Sequence, residues 1–267
     1  KMQCRPLKDV VAEAEVNVRH GQRNITFRSD DIFSYGAKGI RVNRDAVLRL
    51  YKSVKEVQGV ERVGQCYITL ASVVSNPTLV KEITEIIGAG SKEYPYTTVL
   101  TGIESGSPRL VEKYMPGKAW PFKPSGWNEV VEQGFAVLND NRWVPIGMLI
   151  LGFPGEKEED VWDTITLVEN LKSYRSVLVP FVFKAKSALS REESFKVEGL
   201  ERHHLELIQT VFNHDIYWVK RLVNQNLNKT PLTRWLLPFF SPLINWGVER
   251  AHKKLFKEIT ASAPLKP

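Results

Sequence analysis

The stretch TTVLTGIESGSPRL, Thr97 to Leu110, changes character twice within a few residues. A run rich in β-branched residues ends at Glu104 and Ser105, which sit between Gly102 and Gly106. Ser107-Pro108 then places a capping side chain before a proline suited to the first helical position. Strand, polar turn and helix start in that order make one half of a βαβ unit.

Working outward, the same grammar recurs. NITFRSDD (24–31), CYITLAS (66–72), GMLILGFPGE (147–156) and SVLVPFVF (176–183) are further short apolar runs that read as buried strands. Helical spacing occupies the intervals, over 45–57, 79–87, 127–138 and 161–171. Asn76-Pro77 repeats the cap-and-proline signal, and Gly21 and Gly88 stand where helices stop. Such alternation predicts an α/β fold with a parallel sheet and right-handed crossovers. The opening segment PLKDVVAEAEVNV (6–18) has helical spacing and precedes the first strand, so the expectation is that the strand half of this first unit is missing.

Composition narrows the class. With 267 residues, 43% apolar and 25% charged, the chain can bury a sizeable core. It has no apolar run of membrane-spanning length and no secretory leader in its first residues, and it reads as soluble and cytoplasmic. Two cysteines, Cys4 and Cys66, make neither a disulfide framework nor a metal site, so no metal ligand is assigned. Residues 220–267 carry nine Lys or Arg against Glu249 and Glu258, so the net charge of +7 belongs to the tail. The rest is neutral, which argues against nucleic acid as a partner.

In parallel α/β folds chemistry gathers at the carboxyl ends of the strands. Those ends carry Asp30 and Asp31, Thr69 and Ser72, Glu104 and Ser105, and the Gly152-Phe-Pro154 turn. Glu104 offers a carboxylate to an ammonium or a ribose, and the helix start at Ser107 offers free N–H groups. The alternative is that Ser107 only caps and Glu104 only favours a helix N-terminus. Asp30-Asp31 suits a cationic group, or is an exposed acidic turn. GFPGE lacks the Gly-Lys-Ser/Thr of a phosphate loop, and its acidic run, Glu156 to Asp160, excludes a nucleoside triphosphate there. No catalytic residue is assigned. His203, His204 and His214 are expected to be solvated or capping residues of a C-terminal helix. In the tail, 230–256 mixes Trp235, Phe239, Phe240 and Trp246 with basic residues, which fits either peripheral membrane contact or packing on the rest of the protein.

GIESGSPRLVEKYMPGK (102–118) and GMLILGFPGEKEED (147–160), in this order and spacing, resemble two segments of the radical S-adenosylmethionine (radical SAM) superfamily. The resemblance covers roughly residues 1–190 and implies a partial (β/α)6 barrel of TIM type, here without its first strand. Residues 191–267 would then form a helical, basic C-terminal extension. It further implies S-adenosylmethionine bound by Asp30, Asp31, Thr69, Ser72, Glu104, Ser105, Gly152 and Pro154. A [4Fe–4S] cluster would receive its thiolates from a three-cysteine loop upstream of Lys1, since this chain has no such triplet. The phrasing ITFRSDDIFSYG and FPGEKEED is similar to the branch that carries a cobalamin-binding domain, so cobalamin is implied only through that branch. The expected activity is radical chemistry on a small-molecule or lipid substrate, as hydrogen abstraction or methyl transfer at carbon, with an electron donor for the cluster. This chain by itself would be inactive for want of cluster ligands. The rivals are a degenerate barrel serving as a scaffold and an ordinary barrel lyase that would use Lys184.

Overall fold

The computed structural model describes residues 3–39, 41–185, 194, 195 and 199–227, with positions 247, 250, 253, 254 and 257 beyond them. The elements, in chain order, are α1 (Leu7–Arg19), β1 (Asn24–Phe27), α2 (Arg44–Lys55), β2 (Arg62–Gln65), α3 (Leu70–Ser75), α4 (Pro77–Ile87), β3 (Thr97–Glu104), α5 (Pro108–Tyr114), α6 (Trp127–Asp140), β4 (Trp143–Leu151), α7 (Glu158–Asn170), β5 (Val177–Val182) and α8 (Arg202–Leu227). β1 pairs with β2 in parallel, from Asn24 opposite Arg62 to Phe27 opposite Gln65. β3, β4 and β5 form a second parallel sheet in that order. The expected α/β class with parallel strands is what the chain adopts.

Two compact units divide the chain: residues 1–102 with 119–146, and 103–118 with 147–267. In the first, α2 buries Val47, Leu50, Tyr51 and Val54, and α4 buries Leu79, Val80 and Ile83, each at most 2% exposed. These positions recur at helical spacing, and each side chain taken from water contributes about 1.5–3 kcal/mol as an upper bound. Several polar groups inside this core are paired. The Tyr51 hydroxyl donates to Gln65 Oε1 at 3.2 Å, and Gln65 Nε2 donates to Thr97 Oγ1 at 3.1 Å and to the Thr98 carbonyl at 2.9 Å. The Trp143 indole donates to Thr84 Oγ1 at 2.8 Å. A cavity of about 560 Å³ lies among Val10 and Ala14 of α1, Ile25 and Phe27 of β1, and Ser29, Asp30 and Asp31 beyond that strand.

In the second unit the core is built from Ile103, Leu110, Leu149, Val161, Leu167, Leu171, Leu178 and Val211. α8 packs on both α7 and β5. No helix among the described residues is long and apolar enough to cross a membrane.

One element departs from its expected place. The strand read over 66–72 lies earlier, at Arg62–Gln65, followed by a lone parallel bridge from Tyr67 to Leu100. Leu70–Ser75 is instead the helix α3, which packs on α6. The close fit explains it: a Cβ built on Gly134 of α6 would stand 2.9 Å from Leu70 Cδ2. A short apolar run carries no period that separates strand from helix, and here the tertiary seat decides.

Candidate functional site

Within the first unit, the structure brings Asp31, Thr69 and Ser72 together. Asp31 Oδ2 accepts from Thr69 Oγ1 at 3.0 Å and from Ser72 Oγ at 3.3 Å, and Thr69 Oγ1 lies 2.7 Å from Ser72 Oγ. Asp31 Oδ1 accepts the Phe33 N–H at 3.1 Å, capping a 3₁₀ turn over Ile32–Ser34. Burial pushes the Asp31 carboxyl above its ordinary value, and the hydrogen bonds from Thr69, Phe33 and Ser72 only partly offset it. Asp30 is exposed beside it. Both aspartates line the 560 Å³ cavity, as does Ser29, whose buried hydroxyl has no hydrogen-bond partner among the described residues.

In the second unit, Glu104 closes β3 at φ 64°, in the left-handed region that non-glycine residues avoid. The flanking Gly106 has no positive φ; its role is contact, since a Cβ there would meet the Asp163 carbonyl oxygen and Thr164 Cα at 2.7 Å. The glutamate itself is therefore the hinge. Its carboxylate lies 3.1 Å from Lys118 Nζ, and the two side chains are 19% and 22% exposed.

Ser105 points inward. Its hydroxyl lies 3.3 Å from Thr164 Oγ1 and accepts the Ser107 N–H at 3.0 Å, and the residue is 1% exposed. Ser107 Oγ accepts the Leu110 N–H at 3.4 Å, as a cap should, and donates to Asp160 Oδ1 at 2.5 Å. Asp160, in the first turn of α7, also accepts from Arg109 through both carboxylate oxygens and from the Lys157 N–H at 2.8 Å. Burial by itself would raise the Asp160 carboxyl; the donors of Arg109, Ser107 and Lys157 and the Arg109 charge outweigh it and hold the group below its ordinary value.

The Gly152 turn has φ 77° and its N–H donates to Glu156 Oε2 at 2.7 Å. The Pro154 carbonyl accepts from the Tyr114 hydroxyl, and Tyr114 stacks on Phe153 with ring centroids 5.1 Å apart. Glu156, the first member of the acidic run before α7, turns back on Gly152. Of the two roles expected for the histidines, solvated or capping, the first does not hold for His204 and His214, which are buried. His204 does cap, accepting the Glu201 N–H at Nδ1, but its other nitrogen meets Glu156 Oε2 at 3.0 Å. His214 Nε2 lies 2.8 Å from Ser176 Oγ. Neither partner adjoins the histidine in sequence, so composition gave no signal for them. Asn76 makes no side-chain cap; its Nδ2 donates to the Ser72 carbonyl instead. Lys184 is exposed past β5. The segment 230–256 lies almost wholly outside the described residues.

Taken singly, the acceptors have chemistry that suits S-adenosylmethionine: in the first unit Asp31, with Thr69 and Ser72 beside a cavity, can accept from an ammonium group, and in the second Glu104 is a half-buried carboxylate that already faces the Lys118 ammonium. The iron–sulfur cluster does not fit the described residues. Cys4 and Cys66 are free, Cys4 Sγ accepts the Gly36 N–H, and no cluster of three or more metal-binding side chains occurs among the described residues.

No family model matches the chain. It is 25% identical over 231 residues to a tRNA-2-methylthio-N(6)-dimethylallyladenosine synthase of Thermotoga petrophila, covering 84% of this chain and 46% of that protein. It is 29% identical over 164 residues to a probable threonylcarbamoyladenosine tRNA methylthiotransferase of Archaeoglobus fulgidus, covering 61% and 35%. A tRNA-2-methylthio-N(6)-dimethylallyladenosine synthase of Clostridium perfringens matches at 28% over 169 residues, covering 62% and 34%. The chain thus spans less than half the length of these relatives.

These relatives overturn the expectation of no nucleic acid and of a small-molecule or lipid substrate, because each is named for tRNA. Net charge reports phosphate contacts spread over a surface. It is blind to a single base presented to a site. Their names lend no support to cobalamin. By its homologues, the chain's resemblance to the radical SAM superfamily stands, through the tRNA methylthiotransferases.

Proposed function

We propose that the chain is the barrel portion of a radical SAM enzyme that modifies tRNA by group transfer to a base carbon. The observation that supports this most directly is the match to a tRNA methylthiolating synthase over 84% of the chain. It is joined by a strained carboxylate, Glu104, at the strand end where the resemblance puts a cofactor contact. When bound, the cofactor would supply the radical chemistry needed to activate a carbon of the base.

The chain's own residues bind and orient. Asp31, steadied by Thr69 and Ser72, accepts from the cofactor's ammonium, with Asp30 adding negative charge beside it. Glu104 accepts from the ribose or amino-acid part, and Lys118 neutralises it when the cofactor is absent. Gly152 and Pro154 give the adenine a close approach to backbone. Ser105 holds the turn from inside rather than touching the ligand. Thiolates for the cluster come from outside this chain.

The test is anaerobic reconstitution of the full-length protein, followed by incubation with S-adenosylmethionine, reductant, a sulfide source and tRNA whose adenosine carries an N6-dimethylallyl or N6-threonylcarbamoyl group but no methylthio group. The expected products are 5′-deoxyadenosine and a methylthiolated nucleoside in the tRNA digest. No 5′-deoxyadenosine from a loaded cluster overturns the radical SAM reading. Its formation with unchanged tRNA overturns the tRNA reading alone.

A further inference from the structure

Gly152 is held from two sides, and both holds lead to one residue. Its N–H donates to Glu156 Oε2 at 2.7 Å, and that same oxygen meets His204 Nε2 at 3.0 Å. On its Cα face lies the Phe195 ring, so near that a Cβ on Gly152 would stand 2.1 Å from it. The Phe195 ring packs on the His204 imidazole with centroids 5.3 Å apart.

The tautomer of His204 follows from its other nitrogen. Nδ1 accepts the Glu201 N–H at 3.1 Å and so carries a lone pair, which leaves the ring proton on Nε2, aimed at Glu156. The His204 and Glu156 side chains are 7% and 8% exposed, and in so dry a place an unpaired partner is costly. A histidine that merely capped α8 would need only its Nδ1. This one uses its second nitrogen to reach a carboxylate 48 residues earlier in the chain.

We propose that His204 is a positioning residue: from the first turn of α8 it fixes Glu156 and Phe195, and through them the backbone of the Gly152 turn. The inference rests on the reading that this turn borders S-adenosylmethionine. It assigns the C-terminal helix a part in cofactor binding that the barrel-like segments alone do not reveal.

The test compares His204→Leu with His204→Gln in the full-length reconstituted protein, reading equilibrium binding of S-adenosylmethionine and hydrogen exchange at the Gly152 amide. His204→Leu should bind about five- to tenfold more weakly and expose the Gly152 amide, the scale of one lost buried hydrogen bond. His204→Gln keeps an N–H donor at the same reach and should restore most of the affinity. Wild-type affinity in a folded His204→Leu overturns the proposal, as does equal weakness in both variants. Should His204→Leu fail to fold, His204→Gln decides: retained affinity and a protected Gly152 amide support the proposal, and their loss overturns it. Failure of the wild-type protein itself to bind S-adenosylmethionine would instead strike the proposed function.

Discussion

Lys118 Nζ lies 3.1 Å from the carboxylate of Glu104, a residue whose backbone stands at φ 64° while its neighbour Gly106 keeps negative φ. A glycine at 104 would relieve the backbone and lose the carboxylate, so the chain retains a strained acid where an easier residue was available.

The strain is measurable by comparing two variants that both lack the carboxylate. Glu104→Gly should be more stable than Glu104→Ala by about 1 kcal/mol, because only alanine carries a Cβ into the left-handed region. Urea denaturation of both would settle it. An alanine variant as stable as the glycine variant would mean that position 104 is not strained. In the full-length protein both should bind S-adenosylmethionine more weakly than the wild type.

Gly106 makes a contrasting case, since its conformation is ordinary and its surroundings are not. Gly106→Ala would push a methyl group into the backbone of α7 at Asp163 and Thr164, which has no free end to swing away. A loss of about 1–3 kcal/mol is expected on unfolding by denaturant. A neutral substitution would show that the Gly106 turn and α7 separate more easily than their close contact implies.

Asp31→Asn keeps the acceptor for the Phe33 N–H and removes the charge. Stability should be held or raised, because burial already disfavours the ionised carboxyl, while affinity for S-adenosylmethionine should fall. In the wild type, affinity should decline on acidification starting above the range of an ordinary carboxylate, because protonation of Asp31 begins earlier. Binding titrations at several pH values check both, and a variant with wild-type affinity would remove Asp31 from the site.

Asp215 gives a pH dependence of stability with a definite sign. Burial pushes its carboxyl up to about 7, against an ordinary 3.8, although it accepts the Leu178 N–H at 2.8 Å. A folded-state value above the unfolded one means that stability from the neutral acid is present below about pH 4 and is lost as pH rises through 7. Neighbouring His214, depressed to about 4 chiefly by burial, acts oppositely: folding gains as pH rises from 4 to 6.5. Asp215→Asn should isolate the first effect, becoming more stable relative to wild type between pH 5 and pH 8 by on the order of 2 kcal/mol. A difference that stays constant with pH would contradict the assignment.

Legibility in the sequence followed the range of the interaction. The helices of 127–138 and 161–171 and the strand ending at Glu104 carry their period or their cap locally, and they stand within a few residues of their expected bounds. β2 was invisible because RVGQ has a single valine to mark it, whereas the louder apolar run beside it is α3. Gly102 and Gly106 flank Glu104 in the sequence, but a positive φ at a glutamate has no signature in composition. The pairings of Ser105 with Thr164 and of His204 with Glu156 join residues far apart in sequence. Nothing in either residue's surroundings announces its partner. The likeness to relatives named for tRNA was equally hidden, since recognition of one base by such a protein needs shape and a few donors rather than a basic surface.

Asp160 receives Ser107, Arg109 and the amide of Lys157 on one carboxylate. The turn after β3 and the start of α7, separated by more than 50 residues, are consequently a single interchangeable part. Transplanting residues 105–110 from a relative without bringing 158–164 would deliver a serine and an arginine with no seat, and would leave the recipient's aspartate buried without its donors. Anyone grafting this site onto another scaffold must move both pieces together, or neither.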